Sequence, residues 1–355
     1  MSFQPDSPRR YVVIGAGAVG GVVAAHLVET GHDVVLVARG EHARLIRSRG
    51  LVVRRPDGVR TIGMTVAETA SEVELSPSDV LFLTVKTQDV EPVLAEWAWK
   101  PVHCASEPVG VGADLPMVTF QNGLAAEGTA LRRFDNVYGA TIAVAASFLT
   151  PGEVVSPSLP PVAGVIWLGR HPGGRDDVQD SIARDLGNAG FEAFSVMDER
   201  RHKAAKLLGS VANALDLLSG PEDLRGRAKM LLREEAIAAL HAAEIPLTPH
   251  CALDYRGVQL EILPVPGHVP SRFSTWQSFA RGTTSEVDFL NGEVVLLGRL
   301  AGVPVPLNRR TQRLVADLRF VPFRSLRVLL DGAEGLPFHA ARNVRPSLEH
   351  EEATA

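Results

Sequence analysis

The sequence of 355 residues contains little cysteine, few aromatic residues and no long uninterrupted apolar run. Its two cysteines, Cys104 and Cys251, lie far apart and lack the paired spacing of a zinc site or a disulfide framework. No stretch of about 18 apolar residues predicts a membrane-spanning helix, and the polar N-terminal segment does not resemble a secretory signal. We therefore expect a cytoplasmic protein with no metal site and no membrane partner.

Long blocks of one charge are also missing. The formal net charge is -5, and the basic residues occur at most in pairs such as Arg54-Arg55. Such a surface has no field suited to a phosphate backbone, so we expect no nucleic-acid partner. With 45% hydrophobic residues, 22% charged residues and 32 glycines, the composition is that of a globular α/β protein. The length predicts two domains.

The N-terminal half alternates between strand-like and helical patterns. Residues 11–15 form an apolar run, the turn GAGAVGG follows, and a helical pattern extends to Thr30. Strand-like runs follow at 33–37 and 81–86, with a hairpin around Pro56-Asp57-Gly58 between them. Such alternation predicts a parallel sheet with crossover helices. Further runs are expected to continue this sheet to residue 197: 117–120, 137–144, 154–156, 165–168 and 191–196.

The pattern changes at residue 198. Helical spacing dominates 202–218, 228–243 and 273–300, and a segment rich in proline and glycine interrupts it at 262–273. We therefore predict a nucleotide-binding domain over 1–197, a helical domain over 198–330, and a partly disordered C-terminal extension over 331–355.

The turn GAGAVGG indicates a dinucleotide site because it lies between a strand and a helix. Gly15 suits the tight turn, Gly17 lets a pyrophosphate approach the backbone, and Gly20 allows close packing of helix on strand. The purely structural alternative is a glycine-rich turn without a ligand. We expect the whole turn to contact the cofactor: Gly15, Ala16, Gly17, Ala18, Val19 and Gly20.

The residue after the second strand indicates which dinucleotide is bound. A carboxylate there would accept the ribose hydroxyls of NAD, but the position holds Arg39. A guanidinium pairs with the 2′-phosphate, which favours NADP(H). The alternative is that Arg39 is a solvated loop residue.

Three further segments, together with GAGAVGG, resemble the ketopantoate reductase family: LTVKTQD, TFQNG and STWQSFARGTTSEVDFLNGEVVLLGRLAGVPVPLN. The resemblance covers about residues 11 to 320. It implies a Rossmann domain followed by a helical domain like that of 6-phosphogluconate dehydrogenase. It also implies reduction of a small-molecule 2-oxoacid to a 2-hydroxyacid.

The resemblance also implies roles for residues at strand ends. Lys86 and Asn122 match family residues beside the cofactor, and Ala145 is matched more loosely to a position near the nicotinamide. Both polar residues follow predicted parallel strands, where open α/β sheets bind ligands. The alternatives are a surface lysine and a simple Asn-Gly turn.

The catalytic lysine of the family matches Lys206 in KLLGSVANAL, and Lys203 is the competing candidate. In a continuous helix, Ser210 and Asn213 would lie about 40° and 20° from Lys206 and share its face. The resemblance implies that Lys206 is the general acid that protonates the developing alkoxide.

Two residues twelve positions apart, Ser274 and Glu286, match the family's Ser and Glu at the site. Glu286 is expected to orient the lysine or the ribose, and Asp288 and Asn291 to make structural helix contacts. The expected substrate-binding residues are Asn122, Lys206, Ser210, Asn213 and Ser274.

The sequence departs from the family where many relatives have Asn four residues after the lysine, because Ser210 stands there. The second Asn is seven residues from Lys206 instead of eight. Ketopantoate is the leading substrate, and another 2-oxo or β-keto acid is the alternative. A catalytically idle NADP-binding protein is a third reading, and a homodimer is left open.

Overall fold

The computed structural model describes residues 9–248, 260–316 and 324–331. The expected C-terminal extension, 331–355, lies outside the described residues except for Asp331. The strands are β1 (Arg10–Ile14), β2 (Asp33–Val37), β3 (Leu51–Arg55), β4 (Gly58–Ile62), β5 (Thr65–Ala67), β6 (Asp79–Leu83), β7 (Pro101–Cys104), β8 (Glu107–Val111), β9 (Met117–Thr119), β10 (Val137–Ala143), β11 (Glu153–Val155), β12 (Gly164–Arg170) and β13 (Phe191–Ser195). The helices are α1 (Ala18–Glu29), α2 (Gly40–Arg49), α3 (Val90–Ala98), α4 (Ala125–Ala130), α5 (Asp177–Asn188), α6 (Glu199–Ser210), α7 (Glu222–Ala242), α8 (Ser274–Ala280), α9 (Asn291–Ala301), α10 (Pro306–Val315) and α11 (Leu326–Leu330).

Eight strands form the main sheet in the order β13-β12-β10-β9-β6-β1-β2-β5. The six strands from β10 to β5 are mutually parallel, as the alternating pattern predicts. Apolar residues of β1 and β6 are buried on both faces, because helices cover the two sides of the sheet. The parallel strands bring their carboxyl ends, and the loops after them, to one edge.

Two expectations for the sheet are wrong. The run 154–156 does not continue the main sheet, because β11 pairs in parallel with β3 beside the β3–β4 hairpin. β12 does not run parallel to its neighbour β10 but antiparallel, so β12 and β13 run opposite to the other six strands. The chain between β10 and β12 passes through β11 of the small sheet before it returns beside β10, and no pattern within either strand encodes that direction.

The helical half begins after β13. Asp198 caps α6 by accepting a hydrogen bond from the backbone N of Arg201, and α6 packs against β10 and β12 of the sheet. The division predicted at 197/198 falls in this connection and stays a prediction. Apolar residues of α6, α7, α9, α10 and α11 form a separate core. The predicted fold class, a Rossmann-like sheet followed by an all-helical part, is confirmed by the described residues.

Two of the predicted helical stretches are interrupted. The stretch 202–218 is α6 followed by a short 3-10 helix over Asn213–Leu217. The stretch 273–300 is not one helix, because α8 ends at Ala280 and α9 starts at Asn291. The positive φ of Gly282, 67°, turns the chain between them. That connecting segment carries Glu286.

Candidate active site

The turn after β1 has the geometry that close phosphate approach needs. Gly15 has a φ of 113°, and a Cβ on it would lie 2.8 Å from the backbone N of Val85. A Cβ on Gly20 would lie 1.9 Å from the carbonyl O of Gly15, so α1 packs directly on the turn. A Cβ on Gly17 would meet no atom within 4 Å. The backbone of Gly17 therefore faces open space in the cleft.

The N-terminus of α1 is free to bind an anion. Gly17 is its N-cap and supplies no side-chain hydrogen bond, and its first turn has no acidic residue. Five of the six turn residues border the cleft, and the sixth, Gly20, packs against the Gly15 carbonyl and Thr84 instead. Such amides, with the positive end of the helix dipole, suit a pyrophosphate.

Arg39 follows β2 and is exposed at the same cleft. Among the residues that the structure describes, its guanidinium has no hydrogen-bond or ion-pair partner. A guanidinium without a protein partner is available to a phosphate group of a ligand.

His42 is a site residue that sequence reasoning missed, because scattered histidines were assigned to surface or core. It is buried, its Nε2 lies 2.8 Å from the carbonyl O of Ala16, and the backbone N of Gly152 donates to its Nδ1 at 2.7 Å. Nδ1 must therefore be unprotonated, and Nε2 carries the hydrogen. Burial lowers the pKa of His42. The sequence feature that could have indicated His42 as a site residue was its position three residues after Arg39.

Lys206 lies on α6 and borders the cleft, and its Nζ donates to the carbonyl O of Ile142 near the end of β10. Burial, together with the nearby charge of Lys203, lowers the pKa of Lys206 to about 7, although the charge of Glu286 acts in the opposite direction. An amine with this pKa can give up a proton near neutral pH.

Lys203, the competing lysine, has another position. In the described structure it does not border the cleft, and its Nζ lies 2.6 Å from Glu127 Oε1 and 2.6 Å from the carbonyl O of Gln121. Of the two lysines, Lys206 is therefore the one that can meet a ligand in the cleft.

Glu286 joins the two halves of the molecule. Its carboxylate accepts from Lys86 Nζ at 2.5 Å, from the Thr87 backbone N at 3.2 Å and from Thr87 Oγ1 at 3.0 Å. Burial alone would raise the pKa of Glu286, but the charge of Lys86 and these hydrogen bonds outweigh it and lower the pKa. The direct partners of the carboxylate are Lys86 and Thr87, and the expectation that Glu286 orients Lys206 or the ribose stays a prediction. Glu286 acts on Lys206 through its charge.

Asn122 and Ser274 border the cleft from opposite halves. Asn122 Oδ1 and Ser274 Oγ are buried and have no hydrogen-bond partner among the described residues. Gln121, beside Asn122, donates from Nε2 to the carbonyl O atoms of Leu83 and Val85, 2.9 Å each. This amide fixes the turn that carries Asn122 to the loop that carries Lys86. Buried polar atoms without partners are expected where a ligand completes the hydrogen bonding.

Ser210 and Asn213 also border the cleft, but not as one helical face. That geometric expectation is wrong for Asn213, because α6 ends at Ser210 and Asn213 begins the 3-10 helix. Ser210 Oγ donates to the carbonyl O of Lys206 at 3.2 Å, so its hydroxyl is bonded within its own helix.

Two further residues missed by sequence reasoning lie on and just after α8. Gln277 Nε2 donates to the carbonyl O of Ala146 at 3.1 Å, and Arg281 Nη1 donates to that of Phe148 at 3.0 Å. Both hold the loop after β10 that starts near Ala145. The sequence could have indicated them, because both lie in STWQSFARG, which is part of a segment that resembles the family.

These residues surround one cleft of about 2390 Å³ between the carboxyl edge of the sheet and the helical half. Pockets for one small molecule usually measure about 300–1,000 Å³, so this cleft has room for a dinucleotide and a small substrate together. Among the described residues, no group of three or more His, Cys, Asp or Glu could hold a metal ion. In the same part of the chain, no helix is long and apolar enough to cross a membrane.

Comparison with known proteins agrees with this architecture. Residues 11–173 match the family model "Ketopantoate reductase PanE/ApbA", and residues 224–319 match its C-terminal counterpart. The 2-dehydropantoate 2-reductase of Pyrococcus horikoshii is 24% identical over 300 residues, covering 83% of this chain and 93% of that protein. That of Archaeoglobus fulgidus is 26% identical over 311 residues, covering 86% and 97%.

Solved structures are similar over the same extent. A PanE/ApbA family ketopantoate reductase from Ralstonia eutropha has a TM-score of 0.69 and 25% identity, covering 88% of this chain and 98% of that one. D-mandelate dehydrogenase, solved with NADH and anilino(oxo)acetate, has a TM-score of 0.68 and 19% identity, covering 87% and 98%; at that identity the likeness concerns the fold. Fold and cleft define an NAD(P)-dependent oxidoreductase that acts on a CH–OH group. The chain belongs to the ketopantoate reductase family.

Proposed function

We propose that this protein is a cytoplasmic enzyme that reduces a 2-oxoacid to a 2-hydroxyacid with NADPH, ketopantoate to pantoate being the leading candidate. The observation that carries the proposal is that Lys206 and Glu286, from the helical half, border the same cleft as the dinucleotide turn. The two family-model matches leave out residues 174–223, so the role of Lys206 rests on this placement.

The residues present fit a dinucleotide. The open backbone at Gly17 and the uncapped N-terminus of α1 would hold the pyrophosphate. Lys86, Asn122, Ala145 and Glu286 border the cleft further along the sheet edge and would flank the ribose and nicotinamide. Bound NADPH supplies the hydride.

Arg39 supports NADPH over NADH. Its guanidinium is exposed in the cleft, has no partner among the described residues, and stands where an NAD-binding site has a carboxylate. Pairing with a 2′-phosphate would satisfy it.

The chain's own groups supply the proton and hold the substrate. Reduction of the ketone requires one hydride at carbon and one proton at oxygen, and the Lys206 ammonium donates that proton from Nζ. The hydrogen bond to Ile142 O fixes Nζ before the substrate arrives. Asn122, Ser274, Ser210 and Asn213 offer hydrogen bonds to the substrate. Retention of both Lys206 and Glu286 in the cleft argues against an idle NADP-binding protein.

A second candidate is the reduction of a less polar 2-oxoacid. The Ser210 hydroxyl donates its hydrogen to the Lys206 carbonyl, so it can only accept a hydrogen bond from a substrate. Apolar side chains also border the cleft, among them Phe148, Leu149 and Phe273. A wall of this kind gives a terminal hydroxyl of the substrate fewer partners, which costs about 1–3 kcal/mol.

One experiment separates these readings: oxidation of NADPH followed with ketopantoate and with a panel of 2-oxoacids that differ in size and polarity. Efficient turnover of ketopantoate supports the first candidate, and preference for a bulkier apolar acid supports the second. NADPH binding without turnover of any acid would reject the enzyme and leave an idle binding protein.

Ser210→Asn tests the same point. If the missing amide limits ketopantoate binding, the variant should raise kcat/KM for ketopantoate about tenfold. Ser48→Asn is the matched control, because Ser48 also bonds a carbonyl of its own helix but is exposed on α2. A neutral or harmful Ser210→Asn, with efficient ketopantoate reduction by the wild type, would reject the second candidate.

A further inference from the structure

The buried lysine that does not reach the cleft is the feature that the proposed function leaves unexplained. The side chain of Lys203 is 2% exposed and that of its partner Glu127 is 3% exposed. Removing two charges from water is costly, and apolar residues of similar size often stabilise a core at least as well. We therefore looked for a role of the Lys203–Glu127 pair other than stabilising the fold.

Lys203 ties the helix of Lys206 to the Asn122 turn. Its Nζ donates to the carbonyl O of Gln121, and Gln121 in turn holds the loop before Lys86 through its side-chain amide. Glu127 is itself fixed by Thr119 Oγ1, which donates to Oε1 at 2.6 Å. The lysine thus connects the helical half to two loops at the carboxyl edge of the sheet.

Lys203 also places a charge beside Lys206. The two lysines are three residues apart on α6, and side chains at this spacing are neighbours, with Cβ atoms about 5–6 Å apart. Because the side chain of Lys203 is buried, solvent screens its charge poorly. Its repulsion adds to the effect of burial in lowering the pKa of Lys206.

Other charged groups lie around the two lysines. Glu286 faces Lys206 from the segment before α9, and is itself paired with Lys86. Glu199 of α6 lies near Glu127, and its Oε1 is 2.6 Å from His171 Nδ1. Glu293 of α9 also lies near Glu127, and the positive charge of Arg200 favours its ionised form. Of all these groups, Lys203 is the one that opposes a charged Lys206.

We propose that Lys203 is a positioning residue, which locks the helix of Lys206 to the Asn122 turn and holds a fixed positive charge beside the Lys206 amine. The proposal deepens the proposed function and rests on it for the role of Lys206 as proton donor. Lys203 itself touches neither substrate nor cofactor.

The test measures the titration of Lys206 directly. Trace acetylation with acetic anhydride at a series of pH values, followed by peptide mass spectrometry, gives the midpoint at which Lys206 becomes reactive, without substrate. We expect Lys203→Met to raise this midpoint by about one pH unit. The limb of the kcat/KM profile that reports Lys206 should move with it.

Matched variants keep the test decisive. Lys203→Met leaves Glu127 without a partner, so Lys203→Met/Glu127→Gln removes both buried charges and decides the question if the single variant does not fold. Lys203→Arg keeps the charge and should keep the wild-type midpoint. Lys100→Met is the control for loss of a lysine, because Lys100 is half-buried and does not border the cleft.

An unchanged midpoint in the double variant would overturn the proposal and leave Lys203–Glu127 as a structural pair. Failure of the proposed function is a separate result: the wild type would reduce no 2-oxoacid, while acetylation would still show whether the two lysines are coupled.

Discussion

Replacing Glu286 with Gln tests the contact that joins the two halves across the cleft. The substitution keeps the size of the side chain but removes its charge, and one acceptor oxygen becomes an NH₂ group. If the remaining oxygen keeps Thr87, the NH₂ faces the Lys86 ammonium, which is also a donor. Lys86 then loses its anionic partner, and Lys206 loses the one charge that favours its ammonium form.

The expected loss follows from the contact with Lys86. A hydrogen bond to a charged group is worth about 1.5–3 kcal/mol, so kcat/KM should fall roughly 10- to 150-fold if the contact serves the transition state. Since Glu286 raises the pKa of Lys206, its removal lowers that pKa. The descending limb of kcat/KM should therefore move to lower pH.

The assay is NADPH oxidation over a pH series, with thermal unfolding as the check on folding. Asp288→Asn is the matched control, because Asp288 is exposed, lies two residues away and accepts a hydrogen bond from Gln312 instead of from a cleft residue. Unchanged kcat/KM, or a limb displaced to higher pH, would refute the reasoning.

Three further predictions concern the cleft. Lys206→Ala should lower kcat by about 10²–10⁴-fold with little change in NADPH affinity. The kcat/KM of the wild type should fall as pH rises through about 7, because only the ammonium form of Lys206 donates a proton. Rates measured over a pH series check both, and near wild-type turnover of the variant would exclude Lys206 as the acid. Arg39→Asp should weaken NADPH binding about tenfold and shift preference towards NADH, measured by titration with each cofactor; equal wild-type affinities would contradict the assignment. Gly20→Ala should cost about 1–3 kcal/mol of unfolding free energy through its clash with the Gly15 carbonyl, whereas Gly17→Ala should keep the wild-type Tm and lose cofactor binding.

Local chemistry made much of the N-terminal half predictable. The order of strand, glycine turn and helix around Gly15 to Gly20 depends on neighbouring residues, and so does the hairpin at Pro56-Asp57-Gly58. The sequence did not show that β11 belongs to the small sheet, because a strand of three residues, one Glu and two Val, fits either sheet. His42 was missed for a similar reason, since its two backbone partners lie 26 and 110 residues away.

The sequence by itself determined the dinucleotide turn, the strand ends that carry Lys86 and Asn122, and the family, because each depends on short motifs and on the rule that parallel strands end at one edge. Only the tertiary structure decided which lysine of α6 enters the cleft and which is buried on Glu127, because Lys203 and Lys206 share a helix and a residue type. The pairing of Lys86 with Glu286, 200 residues apart in the chain, depends likewise on how the helical half packs against the sheet.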